Sequence, residues 1–329
     1  MEYVLTCLRN LRISDYDGAI ELKNNDQSIF YLMFRDARML NVTKSNGFEK
    51  VYGIDVCNTI LQNFFTYAEF DDNLDPQYRD ALVNNYYIFA ETLSHALWFI
   101  KENAVTPYLT TVNSDYDVEA ILLRRNSFFL NSEANSSFTD FSKEEVIKAM
   151  EWFNILEKLL FKTETENVDF SEEISNMSSY INFETPSFYR AYHFLNQARK
   201  ADFLPARISS YISILETLFA VNGDNTFKVA QRTAALIGET DKDRIDLFKE
   251  VTGIYNIRSK YLHGSEIKKS TDLLNVGRNL EDIVRKVMSK IFKTYPELNY
   301  RLKKDKKNPQ SMNHEDVNDW FNELVLFKG

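Results

Sequence analysis

Cysteine is nearly missing from this 329-residue chain: Cys7 and Cys57 are the only two. Two thiols make neither a disulfide-rich scaffold nor a four-thiolate zinc site, and they point to a reducing, cytoplasmic setting. Histidine is scarce as well, at 4, which argues against a histidine-built metal centre. Glycine (9) and proline (6) are too few for a fibrous or disordered chain, while 44% hydrophobic residues supply a full core. No apolar run of about 18 residues occurs, so no membrane-spanning helix is expected. The opening MEYVLTCLRN has neither the basic start nor the apolar stretch of an export signal. Phosphate-binding loops, glycine-rich dinucleotide fingerprints, HExxH and GxSxG are missing, which argues against nucleotide hydrolysis and zinc hydrolysis.

What is present divides by charge. The net charge is −9, yet residues 1–180 hold 15 Lys/Arg against 29 Asp/Glu and residues 181–329 hold 24 against 19. The first half is therefore at −14 and the second at +5. A basic second half attracts phosphate and an acidic first half repels it, so the two are read separately. The acidic, polar stretch from Thr163 to Asn182 has no apolar period and reads as the connection. The expected organisation is an α+β region over 1–170, a connection over 171–184 and a helical bundle over 185–329, mainly α in all.

In the first half, Ser28–Phe34 is aromatic and branched, which favours a strand after a turn at Asn24–Asp26. Asp75-Pro76 reads as a helix cap with proline at the first helical position. Leu82, Tyr86, Phe89, Leu93, Leu97 and Ile100 follow at spacings of three and four, one helical face. Tyr108–Val112 and Ala120–Leu130 read as extended. Ser142-Lys-Glu-Glu145 is a capping box opening a helix to about Lys162.

In the second half, helices are expected over 186–200, from Pro205 to about Phe219, over 227–237, 242–262, 271–295 and 315–326. Short connections between them make a bundle. The fourth helix carries Tyr255-Asn-Ile-Arg258-Ser-Lys-Tyr-Leu-His263-Gly264. On a wheel with about 100° per residue, Arg258 falls within the apolar arc of Leu247, Val251, Ile254 and Tyr255. A guanidinium buried there requires a carboxylate, a partner subunit or a bound anion. His263 lies about 140° around and about 7.5 Å further along, so one helix aims the two side chains differently, whereas two crossing copies bring both pairs into one cleft. His263 also stands at the helix C-terminus, before a glycine, where the dipole favours its protonated form and nearby arginines oppose it. The bare spacing is equally that of a C-capping histidine and a snorkelling arginine.

Three blocks occur in order: Ser209-Ser-Tyr-Ile-Ser-Ile-Leu-Glu216-Thr-Leu-Phe219, Ala230-Gln-Arg232-Thr-Ala-Ala-Leu236, and Tyr255-Asn-Ile-Arg258-Ser-Lys-Tyr-Leu-His263-Gly-Ser265. Over about residues 186–295 the chain resembles the Apea-like branch of the HEPN superfamily. Trp98–Asn103 and Arg124–Asn126 look broadly like the extra N-terminal region of such proteins. The resemblance implies a dimerising helical bundle that in many members cuts RNA without a metal or other cofactor, with Arg258 and His263 as the catalytic pair; single-stranded RNA is the expected substrate, since the scissile linkage must splay into line. It maps the polar residue after the arginine onto Ser259. Glu216 and Arg232 fall on positions whose role in the family varies. Many members serve as toxins or in antiphage defence, so a phage or host trigger protein is an expected partner. Other members lack activity and bind RNA or a protein partner, which is the alternative reading.

The residues suit the chemistry. RNA brings its own nucleophile, the 2′-hydroxyl, and histidine serves as base or acid near neutral pH. Arginine offers a planar fork to the charge that grows on phosphorus. Around this pair, Tyr255 is a core residue or a stacking platform, and Glu216 pairs with Arg258 or Arg232 or stays solvated. Lys260 and, in the basic run Arg301–Lys307, Lys303 and Lys304 are candidate backbone contacts, although such a run is more often an exposed loop. His95 and His193 read as interior or boundary histidines, and His314 sits at a helix start, an unfavourable place for a cation.

Overall fold

The computed structural model describes residues 2–25, 28–35, 48–70, 76–114, 121–124, 128–158, 185–221, 223–266, 272–301 and 311–327. The chain divides into two compact units: Met1–Asn131 with Asn135–Lys158, and Ser132–Ala134 with Leu159–Gly329. The expected connection over 171–184 lies outside the described residues. The chain is mainly α, with an α+β first unit, and no described helix is long and apolar enough to cross a membrane.

The first unit is built on strands β1 (Glu2–Arg9), β2 (Leu11–Ile13), β3 (Ile20–Lys23) and β4 (Ile29–Met33), helices α1 (Phe48–Tyr52) and α2 (Ile54–Gln62), and strand β5 (Phe64–Phe70). Helix α3 (Pro76–Ile100), strands β6 (Thr106–Ser114), β7 (Ile121–Arg124) and β8 (Thr139–Phe141) and helix α4 (Lys143–Leu156) complete it. Six strands form an antiparallel sheet in the order β3-β4-β5-β1-β6-β7, while β2 and β8 make a separate parallel pair. The pleat alternates side chains, so β1 sends Tyr3, Leu5 and Cys7 into one core with Val56, Cys57 and Ile60 of α2. The other sheet face meets α3, where Phe30 stacks on Phe89 at 4.0 Å. Burying Leu93 and Leu97 completely stabilises this contact by about 1.5–3 kcal/mol each.

The strand at 28–34 and the proline opening α3 stand where the sequence placed them. The Ser142/Glu145 box closes both of its hydrogen bonds; α4 is α-helical to Leu156 and continues as a π turn over 157–158, and the rest of the expected span to Lys162 lies outside the described residues. Strands β1, β3 and β5, half of the six-stranded sheet, were not expected, whereas β6 and β7 overlap the segments read as extended. The apolar face assigned to α3 is also shifted. Val83, Tyr87 and Ala90 are buried while Leu82, Tyr86, Phe89 and Ile100 are partly open. Beyond Glu91 nearly every side chain is buried, including His95, which packs on Phe129 at 4.8 Å.

The second unit comprises α5 (Ser187–Lys200), α6 (Leu204–Leu218), α7 (Asn225–Ile237), α8 (Asp241–Leu262), α9 (Leu273–Thr294), a 3-10 turn (Pro296–Leu298) and α10 (His314–Phe327). All six expected helices are present within a few residues of their expected ends. Ile208, Tyr211, Ile212, Leu215 and Leu218 form the buried stripe of α6. Phe188 stacks on Phe292 at 4.5 Å to join α5 to α9, and Phe219 meets Phe321 edge-on at 4.9 Å to hold α10. Helix α7 stops at Gly238, where a β-carbon would lie 2.5 Å from Arg244 Cγ and 2.6 Å from the Ala234 carbonyl oxygen. A larger residue there would force α8 away from α7.

Candidate functional site

Helix α8 starts on a capping box, with the Thr240 hydroxyl accepting from the Asp243 N–H and the Asp243 carboxylate accepting from the Thr240 N–H. It ends on a left-handed glycine. Gly264 has φ +69, its N–H donates to the Tyr261 carbonyl at 3.3 Å, and the Ser265 N–H donates to the Lys260 carbonyl at 2.8 Å. This is the two-bond glycine stop that satisfies the last carbonyls of a helix. It leaves His263 as the exposed C-cap residue.

Only Val251, Ile254 and Tyr255 of α8 are fully buried, and Arg258 continues their arc, as the wheel places it. Its partners come from its own chain. One guanidinium nitrogen (Nη2) lies 3.4 Å from Glu216 Oε2 on α6, and Nη1 lies 3.4 Å from the Tyr255 hydroxyl. The Tyr255 hydroxyl donates to Glu216 Oε1 at 2.5 Å, and Asn225 Nδ2 of α7 approaches the same oxygen at 3.5 Å. Three helices thus converge on one carboxylate. The side chains of Arg258 and Glu216 retain 21% and 18% exposure, so the pair sits at the rim of the core. Burial, reinforced by the hydrogen bond to Glu216, pushes the Tyr255 phenol up to about 12 and keeps it protonated. The Nε of Arg258 has no hydrogen-bond partner among the described residues.

The other expected site residues separate from this cluster. Arg232 is buried in α7 and turns to the opposite side: Nη1 donates to the Phe219 carbonyl, and Nη2 to Asn318 Oδ1 and Asn322 Oδ1, both at 2.8 Å. Burial lowers its pKa to about 10. It is the strut that fastens α10 and has no bond to Glu216 or Arg258. Glu216 therefore pairs with Arg258, not with Arg232. Ser259 is half-buried, and Lys260 and His263 are exposed. Lys303 and Lys304 lie outside the described residues, as do Arg125 and Asn126.

Asn225 was not anticipated; nothing but its place at the first turn of α7 marks it. Nor was the buried polar group formed by Arg199 and Arg207, both fully buried, with Tyr211 and Glu281 also in the interior beside them. Arg207 Nε donates to the Ala198 carbonyl at 2.9 Å. His193 is exposed beside Gln197, and His314 is half-buried beside Tyr300. Burial, with Arg190 and Arg232 nearby, lowers the pKa of His314.

No family model, no curated protein and no solved structure matches this chain. The geometry of α8 and its neighbours is what a functional reading has to stand on.

Proposed function

We propose that the second unit is a metal-independent endoribonuclease of the HEPN type that works as a homodimer on single-stranded RNA. The observation that carries this reading is the pair on α8: a half-buried Arg258 whose side chain keeps 21% exposure at the rim of the core, and His263 one and a half turns on, held exposed by the Gly264 stop. Glu216 and Tyr255 each engage one terminal nitrogen of the guanidinium at 3.4 Å, and each of those nitrogens carries a second hydrogen for a phosphate. Around the end of α8 two large apolar side chains reach the surface beside Lys260 and His263. Leu262 is 51% exposed, and Phe203, 56% exposed, meets Tyr261 edge-on. A second copy laid on this surface would bring two arginines and two histidines around one scissile phosphate.

In that cleft one imidazole takes the 2′-hydroxyl proton and the other protonates the leaving 5′-oxygen. The arginines hold the charge that grows on the phosphoryl oxygens. The products are a 2′,3′-cyclic phosphate and a 5′-hydroxyl. A toxin or antiphage role, with the first unit sensing a phage or host trigger, belongs to the same reading.

The test is incubation of labelled RNA with the protein in EDTA, alongside Arg258→Ala and His263→Ala and with a 2′-deoxy control. Cleavage by the parent alone, ending in a cyclic phosphate, supports the reading; equal cleavage by the variants removes it. The ion pair of Arg258 with Glu216 within one chain favours a second reading, a non-catalytic HEPN-like module that binds RNA or a partner. In that case the parent binds RNA or captures its partner and never cuts.

A further inference from the structure

The first unit carries a second concentration of arginine and aromatic side chains, at one end of its sheet. Arg9 closes β1 with its guanidinium carbon 3.4 Å from the centre of the Tyr108 ring. Phe128 lies beside that ring, 5.9 Å away and tilted by 20°, and is 5.5 Å from the same guanidinium. Arg12, three residues on, lies 4.2 Å over the ring of Phe138, which is 52% exposed. Three peptide units keep the Cα atoms of Arg9 and Arg12 within about 11 Å.

The connection between them is fixed. Asn10 is left-handed at φ +65, its side chain donates to the Ala104 carbonyl at 3.0 Å, and its carbonyl accepts from the Thr139 N–H at 2.9 Å. The Phe129 N–H is likewise anchored on the Thr106 hydroxyl at 2.9 Å, beside the Arg9–Thr106 register. Both guanidiniums and all three rings are therefore placed by backbone that is tied down.

Neither arginine is ion-paired among the described residues, although the half of the chain they belong to carries a charge of −14. Asp140 is the register partner of Arg12 across the β2–β8 pair, and Arg12 still lies on Phe138. In an acidic unit, two cations held over rings and not ion-paired keep their N–H groups for something else. Flat guanidiniums bind phosphate edge-on, and the neighbouring ring faces stack a base. A carboxylate alone would use the edges and leave the rings idle. The surrounding charge disfavours a long polyanion lying along this face, whereas a single nucleotide, free or at the end of a strand, brings few charges into it.

We propose that Arg9, Arg12, Tyr108, Phe128 and Phe138 form a nucleotide site, with the phosphate on the arginine edges and the base against the exposed ring of Phe138 and the half-buried rings of Tyr108 and Phe128. The nucleotide is either free or the phosphorylated end of a strand. The site is independent of the reading given to α8.

Calorimetric titration of the full chain with ATP, AMP, adenosine, inorganic phosphate and a short 5′-phosphorylated oligoribonucleotide tests it. The nucleotides bind at least tenfold tighter than adenosine or phosphate alone. Oligonucleotide binding tighter than AMP assigns the ligand to a strand end, and weaker binding assigns it to free nucleotide. Arg12→Ala and Phe138→Ala, both at exposed positions whose unchanged melting confirms folding, each weaken binding about tenfold. Arg9→Lys, which keeps the charge and loses the flat stack, does the same. Arg258→Ala and His263→Ala leave binding unchanged, so failure of the nuclease reading and failure of this one are distinct results. Absence of nucleotide binding at millimolar concentration, equal affinity for phosphate alone, or indifference to Arg12→Ala and Phe138→Ala overturns the proposal.

Discussion

The hydroxyl of Tyr255 donates to Glu216 Oε1 at 2.5 Å while the other oxygen of the same carboxylate faces Arg258 at 3.4 Å. One acidic side chain on α6 thereby ties down both a phenol and a guanidinium on α8. Glu216→Ala leaves Arg258 half-buried without its counter-charge and is expected to lower stability by about 1–3 kcal/mol. Tyr255→Phe removes a single hydrogen bond and is expected to cost about 1 kcal/mol. Urea unfolding of the two variants checks the order; a larger loss from Tyr255→Phe would mean that the phenol, not the ion pair, holds the cluster.

His263 is exposed and caps α8 through its backbone, so His263→Ala is expected to change stability by no more than about 0.5 kcal/mol. Any loss of RNA cleavage in that variant is then chemical and not a loss of fold. Thermal melting run beside the cleavage assay separates the two.

Arg232 holds the carbonyl of Phe219 and the side chains of Asn318 and Asn322 at once. Arg232→Met strands the buried Phe219 carbonyl and releases Asn318 and Asn322, and a loss of about 2–4 kcal/mol follows. The damage should centre on α10, read as faster amide exchange over residues 314–327 than in the rest of the bundle.

His314 has its pKa lowered, chiefly by burial, so folding disfavours its protonated form. The stability it allows is complete above the unfolded value near 6.5 and is lost as pH falls through the folded value. Urea midpoints at pH 7.5 and 5.5 should fall more steeply with acid in the parent than in His314→Gln. A steeper fall in the variant would reverse the sign.

Cys7 lies in the core between the sheet and α2, and burial pushes its thiol up to about 12. Alkylation at pH 8 is expected to leave it untouched in the folded protein and to proceed on unfolding in urea. Mass spectrometry of the peptide over residues 1–9 reads this directly.

The sequence by itself determined the features that are local in the chain. Ser142 with Glu145 writes a helix start, Pro76 and Pro205 open helices, and the spacing of Ile208, Tyr211, Leu215 and Leu218 writes one buried face. Gly264 writes the stop that exposes His263, and the wheel puts Arg258 among apolar neighbours. Each of these depends on residues within about two helical turns, where backbone sterics and side-chain period act directly. The tertiary structure alone decided the rest. Strand β1 pairs with β5 and β6, residues about 60 and 100 positions away. Glu216 meets Tyr255 and Arg258 from 39 and 42 residues off, and Arg232 reaches across 86 and 90 residues to α10. Such contacts follow from which faces the packed elements bury against one another, and no short-range period in the chain encodes the partner.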